Sequence, residues 1–157
     1  VAVLRRKFVA FAFASLLMSS GLFAQEQPVP REDTLVIESR NGTELISVEI
    51  ADTPALRERG LMFRHRLPPN RGMLFLYKTP QPVAMWMKNT YIPLDMAFVR
   101  ADGTVARIVE GTVPHSLDTI ESGEPVAAVL EVAAGQARRL GIEAGALMRH
   151  GFFGNAD

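Results

Sequence analysis

Two dipeptides, Asn41-Gly42 and Asp102-Gly103, constrain this chain more than any other feature. Each stands between strand-like runs: Thr34 to Ser39 and Thr43 to Ile50 for the first, Leu94 to Arg100 and Thr104 to Glu110 for the second. A type I′ hairpin turn needs two residues that tolerate positive φ, and Asn-Gly or Asp-Gly supplies both. Ile46, Val48 and Ile50 alternate with Ser47 and Glu49, so the Ser47–Glu49 face is expected to be wet. Gly72 to Tyr77 and Val126 to Val132 are apolar on both faces, as strands buried on both sides are. Val83 to Lys88 reads as a further strand, with Met85 and Met87 on one face and Ala84, Trp86 and Lys88 on the other. Ala146 to His150 reads as the last.

Helical signals are few and short. Asp52-Thr53-Pro54 offers a capping oxygen and then proline at the first helical position, and Gly60 a stop, which predicts a helix over 54–59. A second is expected over Gln136 to Leu140, stopped by Gly141. Leu61-Met62-Phe63 is expected to pack inward. Short strands, turn signals and two short helices together predict a mainly β (α+β) fold, a compact antiparallel β sandwich or barrel with helical caps.

The ends carry a different message. Arg5-Arg6-Lys7, the apolar run Phe8 to Met18 and the small residues up to Ala24 read as a secretory signal peptide over 1–24. The apolar run is too short to span a bilayer comfortably. A flexible lead-in over 25–33, one domain over 34–150 and a tail over 151–157 are expected. The protein is then exported, periplasmic or secreted, with no stable membrane span after cleavage. Of 17 basic residues three lie in the leader, which leaves 14 against 17 acidic and a net charge of about −3. That argues against nucleic acid and against an anionic membrane surface as partners. Cysteine is absent, which rules out thiol catalysis, disulfides and Cys-type zinc sites. The fold must be held by its core.

The stretch Met85 to Asp95 holds the only tryptophan and sets a lysine, an amide and an acid among apolar residues. Asp95 needs a donor or a cation. Lys88 lies across the Asn89–Pro93 connection, and the backbone N–H groups of that turn are the alternative. Lys88 and Trp86 should face the same way, either as a stem covering a ring or as the cation and aromatic floor of a pocket. Glu131 could meet helix-terminal N–H groups or Arg138 and Arg139, or converge with Asp95 as an acid/base pair. Met85 and Met87, with Met73 and His115, could offer soft ligands to Cu(I), against ordinary core packing by methionine. His65, His115 and His150 have no ligand-like spacing, and no nucleophile elbow, phosphate loop or dinucleotide fingerprint is present. No cofactor is expected, and the pattern leans away from an enzyme.

Gly60-Leu61-Met62-Phe63-Arg64, Gly72-Met73-Leu74-Phe75, Trp86-Met87-Lys88-Asn89-Thr90, Leu94-Asp95, Val129-Leu130-Glu131 and Gly135 resemble, in order and spacing, the DUF192 family of uncharacterised proteins. The resemblance runs from about Thr34 to His150. It implies a mainly β, jelly-roll-like fold with small helices, agrees with export, and carries no established activity. Arg64, Trp86, Lys88, Asn89, Asp95 and Glu131 fall on the family's signature. The resulting expectation is an envelope binding or accessory domain with a pocket for a small polar or anionic ligand near Trp86, Lys88 and Asp95. The alternatives are a hydrolase or lyase using Asp95 and Glu131, and a Met-based copper binder.

Overall fold

The first hairpin forms where it is expected but turns one residue early. The structure is a computed structural model and describes residues 29–156. The proposed leader 1–24, residues 25–28 and Asp157 lie outside the described residues. Strand β1 (Arg31–Ser39) pairs antiparallel with β2 (Gly42–Ala51), Ser39 opposite Gly42, so the loop is Arg40–Asn41. Neither loop residue has a positive φ; Gly42, at 104°, takes that conformation instead. Tertiary bonds hold the turn. Ser39 Oγ donates to the Leu140 carbonyl at 2.7 Å and Asn41 Nδ2 to that of Arg139 at 3.1 Å. Strand β1 also begins earlier than expected, so Arg31, Glu32 and Asp33 are paired rather than part of a loose lead-in.

Helix α1 (Pro54–Arg59) has the ends its sequence predicts. Thr53 Oγ1 accepts from Leu56 N–H at 3.2 Å, and Gly60 N–H donates to the Leu56 carbonyl at 2.8 Å. The helix and the loop after it carry the chain back, so β2 pairs parallel with β3 (Arg71–Gln81), the parallel pair in an otherwise antiparallel sheet. Strands β4 (Ala84–Met85), β5 (Leu94–Val99), β6 (Val105–Val109), β7 (Ile120–Glu121), β8 (Val126–Ala133) and β9 (Leu147–Arg149) follow, with α2 (Gln136–Leu140) between β8 and β9. The stretch expected to be a strand over 83–88 shrinks to β4, which pairs with β7 in a separate ribbon.

The main sheet runs β6-β5-β8-β3-β2-β1-β9 and curls into a half-barrel. Its two outer strands meet at one end. Thr104 bridges Leu147, Val105 N–H donates to the Ala146 carbonyl at 2.8 Å and Met148 N–H to that of Gly103 at 2.8 Å. One core fills the concave side, with Leu35, Ile37, Val48, Leu74, Leu130 and Met148. A second lies on the other face of β3, β5 and β8, under α1: Leu56, Leu61, Met73, Phe75, Met96 and Phe98. The doubly apolar reading of β3 and β8 follows from these two cores.

Two expectations fail at the 61–70 loop. Phe63 does not pack inward: it is half exposed and held at φ 65°. The Glu49 face of β2 is not wet, because Arg64 covers it. Glu49 is buried, and its carboxylate takes both Arg64 Nη groups at 2.5 and 2.6 Å.

Candidate functional site

Strand register decides which of the expected residues can meet. In the β5–β8 pair Asp95 stands opposite Val132 and Met96 opposite Glu131. Opposed residues share a face and successive ones alternate, so Asp95 and Glu131 point to opposite sides of the sheet. They cannot form an acid/base pair.

Asp95 faces the concave core and is sealed there. One carboxylate oxygen accepts Gly111 N–H at 2.9 Å and the other Ala137 N–H, in the first turn of α2, at 3.0 Å. It therefore performs the helix-end role that was open for Glu131, and it makes no ion pair with Lys88. Arg64 is engaged by Glu49, whose hydrogen bonds raise the guanidinium pKa against the opposing effect of burial. Lys88 is exposed, its Nζ 5.0 Å from the centre of the half-exposed Trp86 ring. Asn89 takes φ 54°, accepts Phe63 N–H at 2.8 Å through its carbonyl and points Nδ2 at Met62 Sδ, 4.0 Å away. Arg138 pairs with Glu110, and Arg139 donates to Gln136 and Asn70, so neither serves Glu131.

Glu131 faces the other side of the sheet. It is 4% exposed and its carboxyl makes no hydrogen bond or ion pair among the described residues. Burial alone pushes its pKa up to about 8. It lines a cleft of about 290 Å³ between the end of α1, strand β3 and the β4 segment. Met62, Phe75, Met85 and Trp86 supply apolar and aromatic wall; Arg57, Glu58, Arg59 and Tyr77 supply the polar groups. The Arg57 guanidinium lies 5.1 Å from the Tyr77 ring centre, and its Nη1 donates to the carbonyls of Asp52 and Leu76. Burial raises the Tyr77 hydroxyl pKa most, Arg57 lowers it and Glu131 raises it further, which places the phenol under the influence of both. Between Leu76 and Gln81 the β3–β8 register slips, so Tyr77 lies where the regular ladder ends.

Of the six expected residues, the cleft therefore gathers Trp86 and Glu131. Lys88 reaches it through Trp86 and Asn89 through Met62. Arg64 and Asp95 are used elsewhere. Arg57, Tyr77 and Met62 were missed. Tyr77 shares an alternating face with Met73, which pairs with Glu131, but only the register makes that visible. Met73 and Met87 are buried in the second core, and His115 is stacked 5.3 Å from Tyr91. A larger hollow of about 570 Å³ lies beside β1 and β9, but its buried His150 is already satisfied. The ring meets Asp33 through Nε2 at 3.2 Å and accepts Phe152 N–H through Nδ1 at 3.1 Å.

A family model, described as Uncharacterized ACR, matches residues 36–150, most of the chain and both faces of the cleft. The chain belongs to the DUF192 family. No curated protein matches it. The DUF192 chain is similar to a solved structure from Sinorhizobium meliloti 1021 described as a "putative transcription regulator". That likeness has 44% identity and a TM-score of 0.77, and covers 80% of this chain and 98% of that one. It is also similar to a protein of unknown function from Novosphingobium aromaticivorans DSM 12444, at 36% identity and a TM-score of 0.74, covering 76% and 85%.

Proposed function

We propose that this DUF192 domain is an exported binding domain that takes a small polar molecule into the Glu131 cleft. One observation carries the reading: a carboxyl group on a side chain only 4% exposed, with no partner among the described residues, in the wall of a cleft. An unpaired buried acid costs stability, and a ligand that satisfies it recovers that cost on binding. Met62, Met85 and Trp86 would supply contact area, and Arg57 and Glu131 orientation, the usual division in small-molecule sites. The pattern of residues 1–24 supports export.

Opposed faces for Asp95 and Glu131 remove support from the two-carboxylate hydrolase or lyase. The copper reading has little more, since Met73 and Met87 are packed in the core, away from solvent. Transcriptional regulation, the description given to one similar structure, lacks an electrostatic basis here. Lys and Arg number 17 and Asp and Glu 17, so the chain offers no net positive charge to DNA phosphates.

The test is a thermal-shift screen of polar metabolites against wild type, Glu131→Gln and Trp86→Ala. A true ligand stabilises by about 2.7 kcal/mol at a hundredfold excess over its Kd. It should shift the emission of Trp86, the sole tryptophan, and lose at least about tenfold in affinity in both variants. Compounds that stabilise all three proteins equally would place binding elsewhere and end the proposal.

A further inference from the structure

We infer that the cleft selects a molecule with an ammonium group at one end, an aliphatic middle and a carboxylate at the other. The inference rests on the cleft being a ligand site and adds the ligand's chemical class. Glu131 is a carboxyl group enclosed by apolar neighbours: Met73 stands opposite it on β3 and Met96 on β5. A buried acid of this kind is best satisfied by a cation that brings both charge and hydrogen-bond donors. The titratable groups sharing the cleft are Arg57, Glu58, Arg59 and Tyr77. The chain therefore lines one cleft with a lone buried acid and with two guanidinium groups from the end of α1. Arg57 Nη1 is fixed by two backbone carbonyls, while its Nε and Nη2 make no hydrogen bond among the described residues. A guanidinium held in that way suits a carboxylate, which it can pair through parallel N–H donors.

The same features weigh against simpler ligands. A pure anion gains from Arg57 but leaves Glu131 unsatisfied or, with Glu131 ionised, is repelled by it. A pure amine satisfies Glu131 but brings positive charge toward Arg57. Only a ligand carrying both charges answers both ends. The charges must also be separated. The Tyr77 ring lies against the Arg57 guanidinium, 5.1 Å from ring centre to Cζ, and Arg57 forms no ion pair with Glu131 among the described residues, so the two charged groups of the cleft stand apart. Leu61, Met62, Phe75 and Met85 line the same cleft, which suits methylene groups. A cleft of about 290 Å³ suits a single small molecule of that shape.

Proton balance gives the inference a signature that shape alone would not. At neutral pH the free Glu131 carboxyl holds its proton. When an ammonium group docks beside it, the carboxyl ionises, the new pair is carboxylate and ammonium, and the proton leaves to the buffer. A carboxylate docking without an ammonium makes ionisation of Glu131 harder and draws a proton in at alkaline pH.

The probes are 6-aminohexanoate, hexanoate and hexylamine, which share one carbon chain length. Trp86 emission reports occupancy, and calorimetry at pH 7 in buffers of different ionisation enthalpy counts protons. The expected result is saturable binding of 6-aminohexanoate, at least about tenfold tighter than either analogue, with roughly one proton released. Glu131→Gln should bind 6-aminohexanoate no better than hexanoate and release no proton. Equal binding of hexanoate, without proton release, would overturn the dipolar ligand and leave the cleft as an anion site. Silence from all three probes would overturn the dipolar ligand too, while the wider metabolite screen decides the fate of the cleft itself. The comparison among probes uses wild-type protein alone, so it stands even if the variant folds poorly.

Discussion

Exchanging Glu131 for glutamine keeps the side chain's size and removes its titration, so the difference in pH dependence between the two proteins becomes a direct measure of this buried acid. In the folded chain the carboxyl pKa is raised from the usual 4.5 to about 8. Between those limits the folded state holds a proton that the unfolded state has released. Stability therefore falls as pH rises through the interval, and flattens above it. The slope is about 1.4 kcal/mol per pH unit, and from 4.5 to about 8 the loss comes to about 5 kcal/mol. That is a large part of the roughly 5–15 kcal/mol that holds a domain together. Urea unfolding followed by circular dichroism, run on both proteins from pH 4.5 to 9, gives the difference directly. The two should be nearly equal in stability at the acid end. The glutamine variant should pull ahead steadily and lead by several kcal/mol near pH 8. A difference that stays constant with pH would mean that Glu131 is ionised and paired in the folded protein. The cleft would then have lost the feature that marks it.

Other substitutions separate structural groups from ligand-facing ones. Asp95→Ala strands one buried N–H donor, that of Ala137, and a part-buried one, that of Gly111, and should cost about 2–3 kcal/mol in chemical denaturation, with Trp86 emission little changed. Arg64→Ala leaves Glu49 buried without a partner and should cost about 3 kcal/mol; adding Glu49→Gln should recover part of that, a coupling read from a double-mutant cycle. Gly103→Ala sets a Cβ against the Met148 carbonyl in a residue at φ 89°, so its melting temperature should drop by several degrees, roughly 1–3 kcal/mol. Removing the hydroxyl cap with Thr53→Ala should cost about 1 kcal/mol and leave the pH profile unchanged.

Local chemistry was legible in this chain and long-range partnership was not. Thr53, Pro54 and Gly60 set both ends of α1, and Gly141 the C-terminal end of α2, through interactions within a few residues, which the sequence displays directly. Asn41-Gly42 marked its hairpin, but the loop shifted to Arg40–Asn41, where Ser39 and Asn41 bond to the end of α2, about a hundred residues away. Buried acids were foreseen at Asp95 and Glu131, yet the donors at the start of α2 went to Asp95, because β5 and β8 pair in one register and not its neighbour. Alternation alone made Glu49 a solvent residue. What buried it was Arg64, folding back across β2 from a loop.

The strand order has a consequence for how the chain is made. Strand β8 is an interior strand that joins β3 to β5, yet it follows both of them, and β6 and β7, in the chain. Until residues 126–133 emerge, the β1–β2–β3 group and the β5–β6 hairpin each present an open apolar edge with nothing to join them. Among the described residues, seven strands thus precede the one that joins the two groups. Strand pairings between distant segments also form slowly. Until β8 is in place, both halves of the sheet are open to pairing with other chains, so crowding and concentration bear on this fold chiefly before its eighth strand is made.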